Sequence, residues 1–171
     1  MALDLHVVSR PTFSYPLKAV EYAAHPVPSL QDFEQLWRAW DVVSRYMIPE
    51  QELHSKPIKL RNCCIFYLGH VPAFFDIHLT RATGDAPTKP ALYQKMFERG
   101  IDPDVENPEN CHAHSEIPEE WPPTDEILAY QERVRDRARS LYGSGVVEAD
   151  RKIGRALWLG FEHEGKTIFN D

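Results

Sequence analysis

Concentrated positive charge is missing from this sequence. It carries 19 Lys and Arg against 26 Asp and Glu, a formal net charge of −7. No stretch gathers basic residues densely, so nucleic acid and anionic membrane are disfavoured as main partners, both being held by crowded cations. A small or cationic ligand fits this balance better. Long apolar runs are missing too: none approaches the ~20 residues that a bilayer span requires. The start, Met1-Ala2-Leu3-Asp4-Leu5-His6, has neither a basic opening nor an apolar signal core, and the cytoplasm is the expected location. Cysteine is scarce, three residues with Cys63 and Cys64 adjacent, which excludes a disulfide framework and suits a reducing compartment. The adjacent pair reads as helix packing.

What is present is enough for one core. A chain of 171 residues that is 43% hydrophobic is expected to fold as a single domain. Residues 1–28 hold Pro11, Pro16, Pro26 and Pro28 among scattered aromatics, the pattern of an extended arm. Ser29 then reads as an N-cap, with Asp32 three residues on. Leu30, Phe33, Leu36, Trp37, Trp40, Val43 and Met47 form a helical stripe ending near Pro49. The two tryptophans belong to the core on this reading.

A second helix covers the most apolar long segment, Cys64 to Leu79, and ends near Thr83-Gly84. At helical period Cys63, Phe66, His70, Ala73, Phe74 and Ile77 share a face, while Asp76 falls off it. Pro72 interrupts the hydrogen-bond ladder beside His70. From Asp85 to Pro123 seven prolines punctuate a long loop with one helical turn around Leu92 to Arg99. Cys111-His112-Ala113-His114 lies within it, but no second ligand pair follows at a spacing that suits structural zinc.

Thr124 reads as the N-cap of a third long helix, with Asp125 and Glu126 in its first turn and a seam of Ile127, Tyr130, Val134, Ala138 and Leu141. Arg133, Arg135, Arg137 and Arg139 alternate with acids and read as a solvated face. Gly143-Ser144-Gly145 ends it. The last helix begins near Glu148 or Asp150 and carries Ile153, Ala156, Leu157, Gly160 and His163 inward. The expected architecture is all-α, an antiparallel four-helix bundle over 29–171 with the 85–123 loop between helices 2 and 3. Bundles of this kind build metal sites from facing helices. His70 and His163 are two candidate ligands; two imidazoles are few for a metal, and separate hydrogen-bond partners are the alternative.

The runs Pro57 to Asn62, Phe66-Tyr67-Leu68-Gly69-His70-Val71-Pro72-Ala73-Phe74 and Asp76-Ile77-His78-Leu79 resemble the DinB-like domain of fungal ergothioneine synthases, members of the sulfoxide synthase family. So do Glu98 to Asp104, Asn107 to Pro122, and Gly154-Arg155-Ala156-Leu157-Trp158 through Phe161-Glu162-His163-Glu164. The resemblance spans nearly everything from Ser29 to Glu164. It implies that His70 and His163 are ligands to a non-haem Fe(II). It implies oxygen-dependent formation of a carbon–sulfur bond between hercynine and the thiol of cysteine or a cysteine dipeptide. Arg99, His112 and His114 are the polar residues of the long loop expected to touch substrate.

The family motif on the last helix is H-x-x-x-H-x-E, and here Thr167 and Phe169 stand at its second histidine and its glutamate. The resemblance therefore implies a chain shortened within that motif, with Fe(II) weak or absent. The family's formylglycine-generating-enzyme-like domain becomes a possible separate partner. Helix character is expected to fade after Glu164. Two readings stay open: an iron-binding segment of a sulfoxide synthase, inactive alone, or a metal-poor helical module that binds a partner or is a vestigial fragment.

Overall fold

The computed structural model describes residues 27–57, 61–98, 101–102, 112–113 and 118–169. The chain forms helices α1 Leu30–Val42, α2 Cys64–Thr83, α3 Leu92–Met96, α4 Thr124–Gly143, α5 Val146–Ala149 and α6 Arg151–Phe169. A two-residue antiparallel ladder, β1 Ile101–Asp102 with β2 His112–Ala113, is its single departure from helix pairing among the described residues. The all-α class is as expected, and the ladder inside the long loop is not foreshadowed by any alternation in the sequence. The arm at 1–26 lies outside the described residues.

Local chemistry places the helix ends. Ser29 and Asp32 form a reciprocal capping box that starts α1. The helix loosens into a π turn over Val43–Met47, and Pro49 holds Ile48 extended beyond it. That turn rotates the expected stripe out of register, so Met47 is 68% exposed instead of buried. Gly84, at φ 76°, ends α2 in the left-handed region. Thr124 does not cap α4: Pro123 occupies the N-cap position and Thr124 is the first helical residue.

Helix α2 is the centre of the molecule, packed against both α4 and α6. Phe66, Leu68, Val71, Ala73, Phe75 and Leu79 are all nearly inaccessible, and together they cover more than one side of it. A helix buried on most sides has no polar face to set its phase. Asp76, expected off the apolar face, is accordingly fully buried. It accepts from Arg137 at 2.8 Å, from Gln94 at 2.6 Å and from both the backbone N–H and hydroxyl of Thr88.

The arginines of α4 are a solvated face only in part: Arg133 is exposed and Arg139 pairs with Glu132 and Asp136 at 2.7 Å each, but the face also reaches other helices. Arg135 grips Asp41 with both terminal nitrogens at 3.1 and 2.9 Å, and Arg139 reaches Glu34 at 2.8 Å. Arg135 and Arg139 also lie over the Trp37 ring. These contacts tie α4 to α1. Helices α2 and α6 approach so closely that a Cβ at Gly160 would enter the Phe75 ring. The last helix runs on to Phe169, past the point where helix character was expected to fade. Ile168 packs on the core, and Glu162 pairs with Lys166 at 3.5 Å.

Candidate metal centre

The close crossing of α2 and α6 brings His70 and His163 together. Their Nε2 atoms stand 3.1 Å apart, with the rings edge to face at 5.0 Å between centroids. Both rings sit half-buried at the rim of the helix pair, not deep in the core. Phe66 stacks on His70 at 5.2 Å, and Phe74 stacks on His163 at 3.9 Å. His78, two turns beyond His70, also meets Phe74, tilted and 4.5 Å away between ring centroids.

Tautomers decide whether these donors suit a metal. The Phe97 carbonyl oxygen, which can only accept, lies 2.7 Å from His70 Nδ1. His70 therefore carries its proton on Nδ1 and turns the lone pair of Nε2 toward His163, whose Nε2–H donates across the 3.1 Å contact. An imidazole whose other nitrogen donates to a carbonyl is the usual state of a metal ligand. Metal–imidazole bonds of about 2.0–2.1 Å would let both nitrogens serve one ion once His163 moved its proton to Nδ1.

The remaining donors are not supplied here. Among the described residues no group of three or more His, Cys, Asp and Glu is arranged to hold a metal ion. Thr167, one turn past His163, donates its hydroxyl to the His163 carbonyl at 2.9 Å and lines a cavity of about 490 Å³ with Tyr67, Cys64, Leu68 and Ile168. The pair thus fits a metal as part of a donor set. Of the expected substrate residues, Arg99 and His114 lie outside the described residues. His112 contributes its backbone to β2, and the ladder brings it opposite Asp102.

The electrostatics of the pair were not visible in the sequence. Burial holds His163 down to about 4, helped by the neighbouring His70, His78 and Lys166 charges. Burial also lowers His70, opposed by the bond to Phe97. Glu164 is pushed up to about 7 by burial, with Arg135 opposing and Asp41 adding to the rise. These shifts bend the stability of the metal-free protein in opposite directions. Both histidines resist protonation when folded, so their contribution is complete above the ordinary value of 6.5 and is lost as pH falls below it, for His163 down to about 4. Glu164 keeps its proton when folded, so its contribution is complete below the ordinary 4.5 and is lost as pH rises through about 7.

The Glu164 effect is separable by substitution: the urea midpoint of Glu164→Gln should gain on that of the parent as pH rises from ~4.5 to about 7 and hold that gain beyond it. A difference between the two proteins that does not change with pH would contradict the placement of Glu164.

No helix of the described residues is long and apolar enough to cross a membrane. No protein-family model matches the chain. Among curated proteins the chain is 59% identical over 160 residues to Ergothioneine biosynthesis protein 1 of Neurospora crassa, covering 94% of this chain and 18% of that protein. It is 35% identical over 139 residues to Ergothioneine biosynthesis protein 1 of Schizosaccharomyces pombe, covering 81% of this chain and 18% of that protein. The chain spans less than a fifth of the length of the curated relatives it matches.

Proposed function

We propose that this chain, which is homologous to a segment of ergothioneine biosynthesis protein 1, is the DinB-like part of a sulfoxide synthase and that His70 and His163 are two of its Fe(II) ligands. The observation that carries the reading is the 3.1 Å approach of two Nε2 atoms from different helices, one with its tautomer already set by a backbone carbonyl. When bound, iron would supply activation of dioxygen for joining the hercynine imidazole to the thiol of cysteine or a cysteine dipeptide.

The chain's own contribution is orientation and shielding. His70 offers a fixed lone pair, and His163 supplies the second after moving one proton between its own nitrogens. Phe66 and Phe74 lie flat against the two rings and keep water from their faces. Burial keeps both imidazoles neutral, the state a ligand requires. On the same reading Arg99, His112 and His114 contact substrate from the 85–123 segment, and the formylglycine-generating-enzyme-like domain completes the pocket. The bundle over 29–171 works in the cytoplasm, and the segment is inactive alone.

A second reading, a metal-poor helical module, is favoured by one observation: Thr167 turns its hydroxyl back onto its own helix. Anaerobic Fe(II) titration separates the two. The first reading expects weak uptake that falls by ~10-fold or more in His70→Ala and in His163→Ala. Equal uptake by all three proteins would leave the second.

A further inference from the structure

We infer that Phe97, seated in a notch left by Gly69, is the positioning residue of the histidine pair, delivering the carbonyl oxygen that decides which nitrogen His70 presents to His163. The ring of Phe97 is fully buried. It stacks on Trp121 at 5.7 Å and meets Tyr93 edge-on at 5.3 Å and Phe66 at 6.1 Å. Its far side lies directly on the backbone of α2, one residue before His70. A Cβ built at Gly69 would stand 2.5 Å from two of the ring carbons, far inside the contact distance of real atoms.

Seating of this side chain and placement of its carbonyl are one event. The Phe97 N–H is held by the Tyr93 carbonyl at 3.0 Å, which closes the turn of α3. Upstream the same stretch is fastened to α2 again, where Asp76 accepts from the N–H of Thr88, nine residues before Phe97, at 3.0 Å and from Nε2 of Gln94, three residues before it, at 2.6 Å. With the stretch held at these points the Phe97 carbonyl stands 2.7 Å from His70 Nδ1. A methyl group at position 69 would lift the ring and take the carbonyl with it. His70 would then lose the acceptor that keeps its proton on Nδ1, and could carry the proton on Nε2. There it would point at His163 in place of the lone pair.

The consequence for iron rests on the proposed function, but the tautomer does not, and it is read without metal. Long-range ¹H–¹⁵N NMR of the metal-free chain should show His70 protonated on Nδ1 and His163 on Nε2. In Gly69→Ala the His70 proton should move wholly or partly to Nε2. Phe97→Leu, which keeps an apolar plug of shorter reach, should move it in the same direction and serves if Gly69→Ala does not fold. Anaerobic Fe(II) affinity should fall ~10-fold in either variant.

A wild-type His70 protonated on Nε2 would overturn the inference. So would a folded Gly69→Ala or Phe97→Leu that keeps the wild-type tautomer. Tautomers that shift as described in a chain that takes up no iron would uphold the positioning role and refute the iron reading alone.

Discussion

Thr167→His is expected to raise anaerobic Fe(II) affinity by at least ~10-fold over the unmodified chain, about 1.4 kcal/mol. The reasoning starts from helix geometry. Position 167 lies one turn beyond His163 on α6, and side chains on a helix lean toward its N-terminus, so a residue there reaches back over the turn that bears His163. Thr167 already does this, closing its hydroxyl on the His163 carbonyl at 2.9 Å. A longer imidazole leaning the same way would extend past that carbonyl toward the turn that bears His163. Thr167 borders a cavity of about 490 Å³ shared with Tyr67 and Leu68, so a larger side chain at this position has room.

Threonine is a neutral hydroxyl and a poor ligand for Fe(II), whereas imidazole is a good one. Three imidazoles would also leave coordination positions open to small ligands, as catalytic metal sites require. The measurement is competition with a chromophoric chelator, run on Thr167→His and on the same variant carrying His70→Ala. The gain should vanish in the double variant. A folded Thr167→His that binds no better than the parent would move the metal away from this pair.

How much of this was legible in the sequence depends on whether the signal was local. Ser29 with Asp32, Gly84 and the glycines after Tyr142 announce helix ends through the backbone of their own turn, and the structure has helix ends there. His70 and His163 were legible because each continues an apolar stripe on its own helix. Asp76 was not, since a helix covered on most sides gives periodicity nothing to phase against. Arg135 and Arg137 were misread for a related reason. Their neighbours in sequence are acids, yet their main partners are Asp41 and Asp76, which lie 94 and 61 residues away. Arg139 keeps its expected local partners Glu132 and Asp136 and adds Glu34, 105 residues away.

The Phe97 carbonyl was the hardest to foresee. A backbone oxygen carries no residue-type signature, and the one trace it leaves is an unremarkable glycine before His70. The continuation of α6 past Glu164 was hidden for another reason. Gly165 and Thr167 are weak helix formers, but Ile168 gains burial against the core that propensity does not count.

Arg137→Leu is expected to cost about 3–5 kcal/mol of folding stability, the range for removing one partner of a buried ion pair. Asp76 is fully inaccessible and Arg137 is 15% exposed, so the carboxylate left behind could not recover the lost bond from solvent. Arg137 also donates to Thr80 at 2.9 Å and to Thr83 at 3.0 Å, and the substitution would remove one donor from each hydroxyl. Asp76 is the acceptor for Thr88 and Gln94 as well. Water drawn to the unpaired carboxylate would compete for those bonds and so loosen the stretch that carries Phe97 to His70.

Pairing Arg137→Leu with Asp76→Leu tests that logic. Removing both charges leaves no buried ion unpaired, so the double variant should regain part of the loss while Thr88 and Gln94 remain detached from α2. Urea unfolding gives the energies, and hydrogen exchange at Tyr93 and Phe97 amides reports the attachment. If Arg137→Leu alone unfolds at the wild-type midpoint, the pair contributes nothing net and the stretch is held by the seat of Phe97 on Gly69. If stability falls in the single variant and returns in the double while those amides stay unprotected, the Asp76 carboxylate is the fastening that keeps the Phe97 carbonyl in reach of His70.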